Sequence, residues 1–413
     1  MPKTIERPDY LTKLAGWRDK SDVVKIVTGI RRCGKSTLFK LYQRYLLESG
    51  VSGRQIQDIN FEDAANEKFL DWRVLHDHVK KNCVAGHMNY IFLDEIQNVS
   101  EFQKAVNSLR LPDNIDLYLT GSNSRVLSGE FATLLSGRYV EIHMLPLSFK
   151  EYVSAYPYNA SADKMFDDYL HNGSFPYTIQ LTAENNPLMG KKGIWDKEQI
   201  QMFSRGIYNT IILKDIVERK KITDVSRLES LIKFMFDNIG NETSIRNIQN
   251  TMKSTGRDIQ IPTIENYLDG LLDAFVLYKI GRYDIKGKKH LQTNAKYYLS
   301  DIGLRYMLLG REGDMGRILE NAVFLELFRR GYNIHIGKIK DLEVDFVAVK
   351  DGRTEYYQVS NNIENAGTFE REISPLNMIS DHNAKYVLTR GYPLESSRNG
   401  IRIVNVLEWM QAD

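Results

Sequence analysis

The chain has little cysteine, only Cys33 and Cys83 in 413 residues. Two thiols make neither a disulfide framework nor a zinc site. No run of about 18 apolar residues exists, so the sequence offers no membrane-spanning helix. The segment MPKTIERPDYLTK is polar and lacks the apolar core of a secretory signal. Repeats and low-complexity tracts are missing. So is an excess of charge: 55 Lys and Arg against 53 Asp and Glu leave a formal net charge of +2. Such a balance gives no global attraction for nucleic acid, which leaves only local patches to attract it. These absences point to a reducing, cytoplasmic setting. A hydrophobic fraction of 42% and a charged fraction of 26% suit globular domains. At 413 residues the chain exceeds what one core organises, so two or three domains are expected.

What is present begins with GIRRCGKST, Gly29 to Thr37. It fits the phosphate-binding pattern G-x-x-x-x-G-K-[ST] at Gly29, Gly34, Lys35 and Ser36. The glycines allow a tight turn, so the backbone N–H groups from Gly29 through Ile30, Arg31, Arg32 and Cys33 to Thr37 can point at phosphate. Lys35 is placed for the β- and γ-phosphates of ATP, and the Ser36 hydroxyl for Mg²⁺. The surroundings agree. Val23–Thr28 is a short β-branched run that reads as a buried strand. Lys35–Glu48 has apolar residues at helical spacing, which aims a helix N-terminus at the anion. Cys33 lies inside this loop and must stay reduced to leave room for nucleotide.

Downstream, YIFLDE (Tyr90–Glu95) is an apolar strand ending in two carboxylates. Phosphoryl transfer to water needs one acid to hold Mg²⁺ and another to polarise the water. Asp94 is assigned to the metal and Glu95 to the water. The next strand, LYLTG (Leu117–Gly121), is followed by Ser122, Asn123 and Ser124. Either Ser122 or Asn123 is suited to bond the γ-phosphate and the attacking water; the same Gly-Ser-Asn-Ser run also suits a turn or helix cap. Arg125 and Arg138 are the two candidate finger arginines. Arg138, in LLSGRYVEI, stands between a helical stretch and a strand, suited to a nucleotide in its own or a neighbouring subunit; the sequence leaves open which arginine acts and where.

Four stretches carry a resemblance across nearly the whole chain: VTGIRRCGKSTL, YIFLDEIQNV, LTGSNSRVLSGEFATLLSGRYVEIHMLPLSFKEY, and the distal LEN…EVDF…YYQVS. The sequence resembles the AAA-type P-loop ATPases of bacteria and archaea that carry a C-terminal domain of unknown function. The resemblance implies an α/β fold with an AAA-type parallel sheet and helical lid, then a winged-helix-like domain and an α+β nuclease-like domain. It implies ATP hydrolysis but no particular target.

The alternation of strands and helices fits a P-loop core over 1–147, with strands at Val23–Thr28, Ile56–Phe61, Tyr90–Leu93, Asp116–Thr120 and Tyr139–Leu145. Residues 148–225 turn helical and resemble the lid, with NGSFPYT as a break. Residues 226–310 read as a winged helix-turn-helix. Its third helix puts Ile264, Tyr267, Leu268, Leu271 and Leu272 on the apolar face, and leaves Glu265, Asn266, Asp269 and Asp273 outside. Such a face would repel phosphates. The hairpin holds Arg282, Lys286, Lys288, Lys289 and His290, suited either to nucleic acid or to a solvated, protein-binding surface.

Over 311–413, a helix with Glu320, a strand with Asp345, a Lys-Asp-Gly turn and a strand ending QVS resemble the PD-(D/E)XK nuclease fold. In that family the last strand carries an acid and, two residues on, a lysine. Here Gln358 and Ser360 stand there. Amide and hydroxyl replace a metal-ligating charge and a cation, so the nuclease is read as degenerate. Function follows as a Mg²⁺-dependent ATPase that changes conformation or assembly on an unknown macromolecule. A finger donated in trans implies a ring or other head-to-tail homo-oligomer. The alternatives are a slow ATP-gated binding switch and a DNA-directed ATPase or nuclease using the basic wing.

Overall fold

In the computed structural model, the short apolar runs of the first third pair into a five-stranded sheet. The structure describes residues 4–124, 133, 135, 137–156, 159–183, 197–287, 289–310, 313–391 and 396–412. Side chains of 182, 183, 197 and 289–293 are outside that description. The chain divides into two compact units. One holds Lys3–Pro146 with Asp273–Phe275, the other Leu147–Leu272 and Val276–Asp413.

In the first unit, helix α1 (Pro8–Gly16) precedes β1 (Val24–Thr28). Then come α2 (Lys35–Glu48), β2 (Ile56–Asn60), α3 (Trp72–Lys81), β3 (Asn89–Asp94), α4 (Phe102–Leu109), β4 (Ile115–Gly121) and β5 (Tyr139–His143). The strand order is β2-β3-β4-β1-β5, and every pairing is parallel. The central strands β1, β3 and β4 are buried along their whole lengths. A parallel sheet covered on both faces requires this, and it explains why these strands are continuous apolar runs rather than alternating ones. Ile26, Ile91, Leu93, Leu117 and Leu119 pack with Leu75 and Val79 of α3 and Val106 and Leu109 of α4. Because the strands share one direction, the loops leaving β1, β3 and β4 gather at one edge.

The second unit is helical before it is stranded. It contains α5 (Phe149–Ala155), α6 (Ala162–Asn172), α7 (Pro176–Ala183) and α8 (Lys197–Thr210), with π-helical turns over Ile211–Glu218. Next come α9 (Val225–Asp237), α10 (Ile245–Ser254), α11 (Ile261–Asp273), β6 (Leu277–Asp284), β7 (Lys289–Leu299), α12 (Ile302–Leu309) and α13 (Met315–Arg329). Strands β8 (Asn333–Ile339), β9 (Leu342–Lys350) and β10 (Arg353–Ser360) lead to α14 (Ala366–Asn377), β11 (Ala384–Thr389), β12 (Ser396–Arg398), β13 (Ile401–Asn405) and α15 (Val406–Gln411). Ser148 and Glu151 start α5 with a reciprocal cap: the Glu151 N–H donates to Ser148 Oγ at 3.0 Å, and the Ser148 N–H to Glu151 Oε2 at 2.8 Å.

One eight-stranded mixed sheet runs β12-β13-β11-β10-β9-β8-β6-β7. The hairpin read from sequence as a wing, β6 and β7, therefore continues the sheet of the last hundred residues. Arg282 of β6 pairs in register with Ile336 of β8, so hydrogen bonds cross the boundary expected near 310. Local patterning cannot reveal such a pairing, because each strand of a mixed sheet looks the same whoever its neighbour is. On α11, Ile264, Tyr267, Leu268 and Leu271 are buried and Leu272 is half-buried; Glu265, Asn266 and Asp269 are exposed. Arg282 is engaged by Glu242 at 2.8 Å, and Lys286 is exposed. Lys288 lies outside the described residues, as do the side chains of Lys289 and His290.

Candidate nucleotide site

The loop after β1 turns through two left-handed glycines, Gly29 at φ 143° and Gly34 at φ 109°. Gly29 is fixed by space as well as angle. A Cβ there would fall 2.1 Å from the Met144 carbonyl oxygen, so the loop can lie against β5's exit only without a side chain. Gly34 leads directly into α2, and the Leu38 N–H bonds the Gly34 carbonyl at 2.8 Å. Ile30 and Cys33 are buried, Arg31 and Ser36 half-buried, Arg32 and Thr37 exposed. Arg31 bonds Glu62 Oε1 at 2.6 Å. The Cys33 thiol is pushed up by burial, against the nearby cations Lys35 and Arg7, so it stays neutral.

Lys35 is buried, and its Nζ donates to the carbonyls of Gly29 at 3.1 Å and Ile30 at 3.4 Å. It lies 3.5 Å from Glu95 Oε1. Burial is the largest influence and would pull the ammonium down; Glu95, with Cys33 and Asp94, together more than offset it, so the lysine stays above its usual value. Asp94 ends β3. Glu95 then turns into the left-handed region, φ 57° and ψ 49°. Successive strand residues would face opposite sides, and this turn is what brings both carboxylates to one edge.

Thr120 of β4 holds the pair. Its hydroxyl donates to Asp94 Oδ1 at 2.5 Å and accepts the Glu95 N–H at 2.8 Å. Burial raises the proton affinity of Asp94, opposed by hydrogen bonds from Ser36 and Thr120. Glu95 goes the other way. Burial disfavours its charge, but Lys35, Gln97, Arg31 and Ser122 together hold it below the usual carboxylate range. Gln97 Nε2 donates to Glu95 Oε2 at 2.5 Å. Ser122 and Asn123 are both buried just beyond β4. A half-buried hydroxyl bonded to a buried carboxylate, Ser36 with Asp94, offers the oxygen donors a hard cation such as Mg²⁺ takes, and the residues fit it.

Arg138 sits at the other end of the sheet. Its carbonyl accepts the Val24 N–H at 3.0 Å, at the start of β1, whereas the phosphate loop follows the end of β1. Five residues of strand separate the two ends, about 16 Å at roughly 3.3 Å per residue. Arg138 is exposed. Arg125 lies outside the described residues.

The sequence reading missed three side chains: Thr120, Gln97 and Arg7. Arg7 is buried, donating to the carbonyls of Cys33 at 3.2 Å and Leu145 at 2.9 Å. The signal for Thr120 was a hydroxyl inside an otherwise apolar run. For Gln97 it was proximity to Glu95. Arg7 carried none, since its partners are backbone atoms distant in sequence.

In the second unit the nuclease-like positions are occupied otherwise. Glu320 Oε1 accepts from Lys296 Nζ at 2.8 Å and from the Tyr298 hydroxyl at 2.6 Å; Lys296 also reaches Glu343 Oε1 at 2.7 Å. Lys296 comes from β7, not from the strand of Gln358. Asp345 Oδ2 accepts the Val359 N–H at 2.8 Å. Gln358 donates to Glu372 Oε2 at 2.9 Å, and Ser360 Oγ to the Asn362 carbonyl at 3.2 Å. Among the described residues no group of three or more His, Cys, Asp or Glu is arranged to hold a metal ion. No helix among them is long and apolar enough to cross a membrane.

A parallel sheet with a glycine-cornered lysine loop after β1 and an acid pair after β3 defines a P-loop ATPase domain of the AAA type. The family described as AAA domain matches residues 21–153, and a domain of unknown function matches residues 163–314. An uncharacterized protein of Haemophilus influenzae is 38% identical over 412 residues, covering 98% of each chain. An uncharacterized protein of Methanocaldococcus jannaschii is 30% identical over 367 residues, 85% of this chain and 77% of its own. The chain belongs to one family with them. Among solved structures, the Walker-type ATPase PABY2304 of Pyrococcus abyssi is similar at TM-score 0.47 and 15% identity, over 74% of this chain and 96% of that one.

Proposed function

We propose that this protein hydrolyses ATP with Mg²⁺ and uses the cycle to change conformation or assembly on a macromolecular target. The observation that carries the reading is the 3.5 Å approach of Lys35 to Glu95, beside an Asp94 that bonds Ser36. In this reading Lys35 leaves the loop carbonyls for the β- and γ-phosphates, cradled by the N–H groups of Gly29 to Thr37. Ser36 and Asp94 would hold Mg²⁺, which would supply charge neutralisation at the phosphate oxygens. Losing Lys35 as a partner exposes Glu95 Oε1, which accepts a proton from the attacking water. Ser122 and Asn123 line the same edge and orient the γ-phosphate. The test is release of phosphate from ATP by the purified full chain, with and without Mg²⁺. No release in either condition, with mant-ATP binding intact, would leave the domain as a nucleotide-gated binder.

Arg138 supports a head-to-tail homo-oligomer. At the far end of its own sheet it cannot serve its own phosphate loop, so any finger role is in trans. Arg138→Ala is expected to bind ATP normally and turn it over slowly. Mixing it with Lys35→Ala protein should restore part of the activity, because one mixed interface pairs an intact loop with an intact finger. Recovery is read by phosphate release, with mixed oligomers verified by native mass analysis; no recovery assigns Arg138 a local role.

The partner is better sought among proteins than DNA. The three exposed polar residues of α11 include Glu265 and Asp269, which phosphate would repel. The nuclease-like portion acts through packing or partner binding in this reading, since the Lys296 ammonium already bonds Glu320.

A further inference from the structure

We infer that Gln97 places the attacking water, a role that rests on the proposal that Glu95 is the base. The carboxamide has two ends with different fates. Its Nε2 donates to Glu95 Oε2 at 2.5 Å and lies 3.5 Å from Ser122 Oγ. The orientation is fixed chemically, because only the amide nitrogen can donate to an ionised carboxylate. Its Oε1 is buried and has no hydrogen-bond partner among the described residues. A buried acceptor left unbonded is costly, and a donor that arrives with function would answer it.

A water about to attack phosphorus has two protons to dispose. One goes toward the base. The other needs an acceptor on the same side, or the lone pair that attacks will be misaimed. Glu95 provides the first acceptor through Oε1, which in this arrangement faces Lys35 at 3.5 Å. Gln97 provides the second through its orphan Oε1. The same side chain ties down Oε2, so the carboxylate cannot swing away when Lys35 turns to the phosphates. Position favours this as well. Gln97 lies in the 3₁₀ turn Ile96–Asn98, directly after the left-handed Glu95, so backbone and side chain set one geometry together. Ser122, just beyond β4, receives the amide nitrogen at the third corner.

The experiment compares Gln97→Leu and Gln97→Glu with the parent chain. Leucine removes both amide ends; glutamate keeps an oxygen acceptor but loses the donor to Glu95. Three quantities are read: mant-ATP affinity, steady-state kcat and KM, and trapping of ADP as its beryllium fluoride and aluminium fluoride complexes. The beryllium complex imitates bound ATP, whereas the aluminium complex imitates the in-line transition state that includes the water. Gln97→Leu is expected to keep mant-ATP affinity and KM within about twofold. Its kcat should fall about 10–100-fold, in the lower part of the range for a group that handles a proton in flight. It should trap the beryllium complex normally and the aluminium complex poorly. Gln97→Glu should also lose kcat with affinity kept, since a second carboxylate displaces Glu95. Equal loss of both trapped complexes, or a matching loss of mant-ATP affinity, would show a structural role and overturn the inference. So would an unchanged kcat. Glu95→Gln measured in parallel separates the two readings: if it turns over normally the base assignment fails, and if it is inactive while Gln97→Leu is not, only Gln97 is excluded.

Discussion

Glu95→Gln protein is expected to bind ATP and hold it. The amide keeps the size and the hydrogen-bond reach of the carboxylate but cannot take a proton from water, so phosphate release should fall about 10²–10⁴-fold while mant-ATP affinity is retained. Lys35→Ala should fail earlier. Lys35 is the buried side-chain cation of the loop, and without it the phosphates meet only backbone dipoles, so affinity itself should fall. The contrast between the two variants, one that traps and one that does not bind, is measured by nucleotide retention on a desalting column alongside phosphate release. Normal turnover by Glu95→Gln would move the base elsewhere; normal binding by Lys35→Ala would remove the loop from the site.

The second large effect lies in the other unit and has two signs. Lys296→Met should destabilise it by about 3–5 kcal/mol, because it leaves the buried Glu320 without its ammonium. Asp345→Asn should stabilise it. Burial and the neighbouring Glu320 carboxylate push Asp345 well above the usual carboxylate range, against the opposing pull of Lys296 and the Val359 N–H; Glu343 adds to the rise. A carboxyl with a raised folded value binds its proton more tightly folded than unfolded. Stability from this group is thus full below the unfolded value near 3.8 and is lost as pH rises toward the folded one. An asparagine removes that loss and can still accept the Val359 N–H. The Asn variant should melt a few degrees higher at pH 7 to 8, at about 2–4 °C per kcal/mol for a unit of this size, with the difference vanishing near pH 4. A lower melting temperature at neutral pH would mean that Asp345 is ionised and paired. The same ammonium gives a reason to expect no Mg²⁺-dependent DNA cleavage, and cleavage abolished by Asp345→Asn would reverse that expectation.

Lys296 also marks the limit of reading along a chain. The acid positions Glu320 and Asp345 were visible as a helix acid and a strand acid, and Gln358 and Ser360 were visible as departures. The lysine that answers Glu320 comes from β7, with β6, β8 and β9 between its strand and Gln358's. Nothing near Lys296 in the sequence distinguishes it from the solvated lysines of the same hairpin. Only sheet order puts it there.

In the first unit the division is different. The phosphate loop was legible because its chemistry is contiguous: glycines that must adopt φ 143° and 109° stand beside the lysine and serine they position. The parallel sheet was legible because strands buried on both faces become apolar runs. Asp94 was legible as the polar end of such a run. The sequence by itself therefore determined that the chain has a P-loop, a parallel α/β core and an acid pair on its edge. Tertiary structure decided the rest. The left-handed turn at Glu95 brings its carboxylate to within 3.5 Å of Lys35. Thr120 bridges the two acids from a neighbouring strand. Arg7 reaches the carbonyls of Cys33 and Leu145. The physical reason is one of range: backbone conformation and periodicity are local properties that a sequence states directly, whereas the partner of a buried charge is whichever group the sheet's order and register bring within about 3 Å.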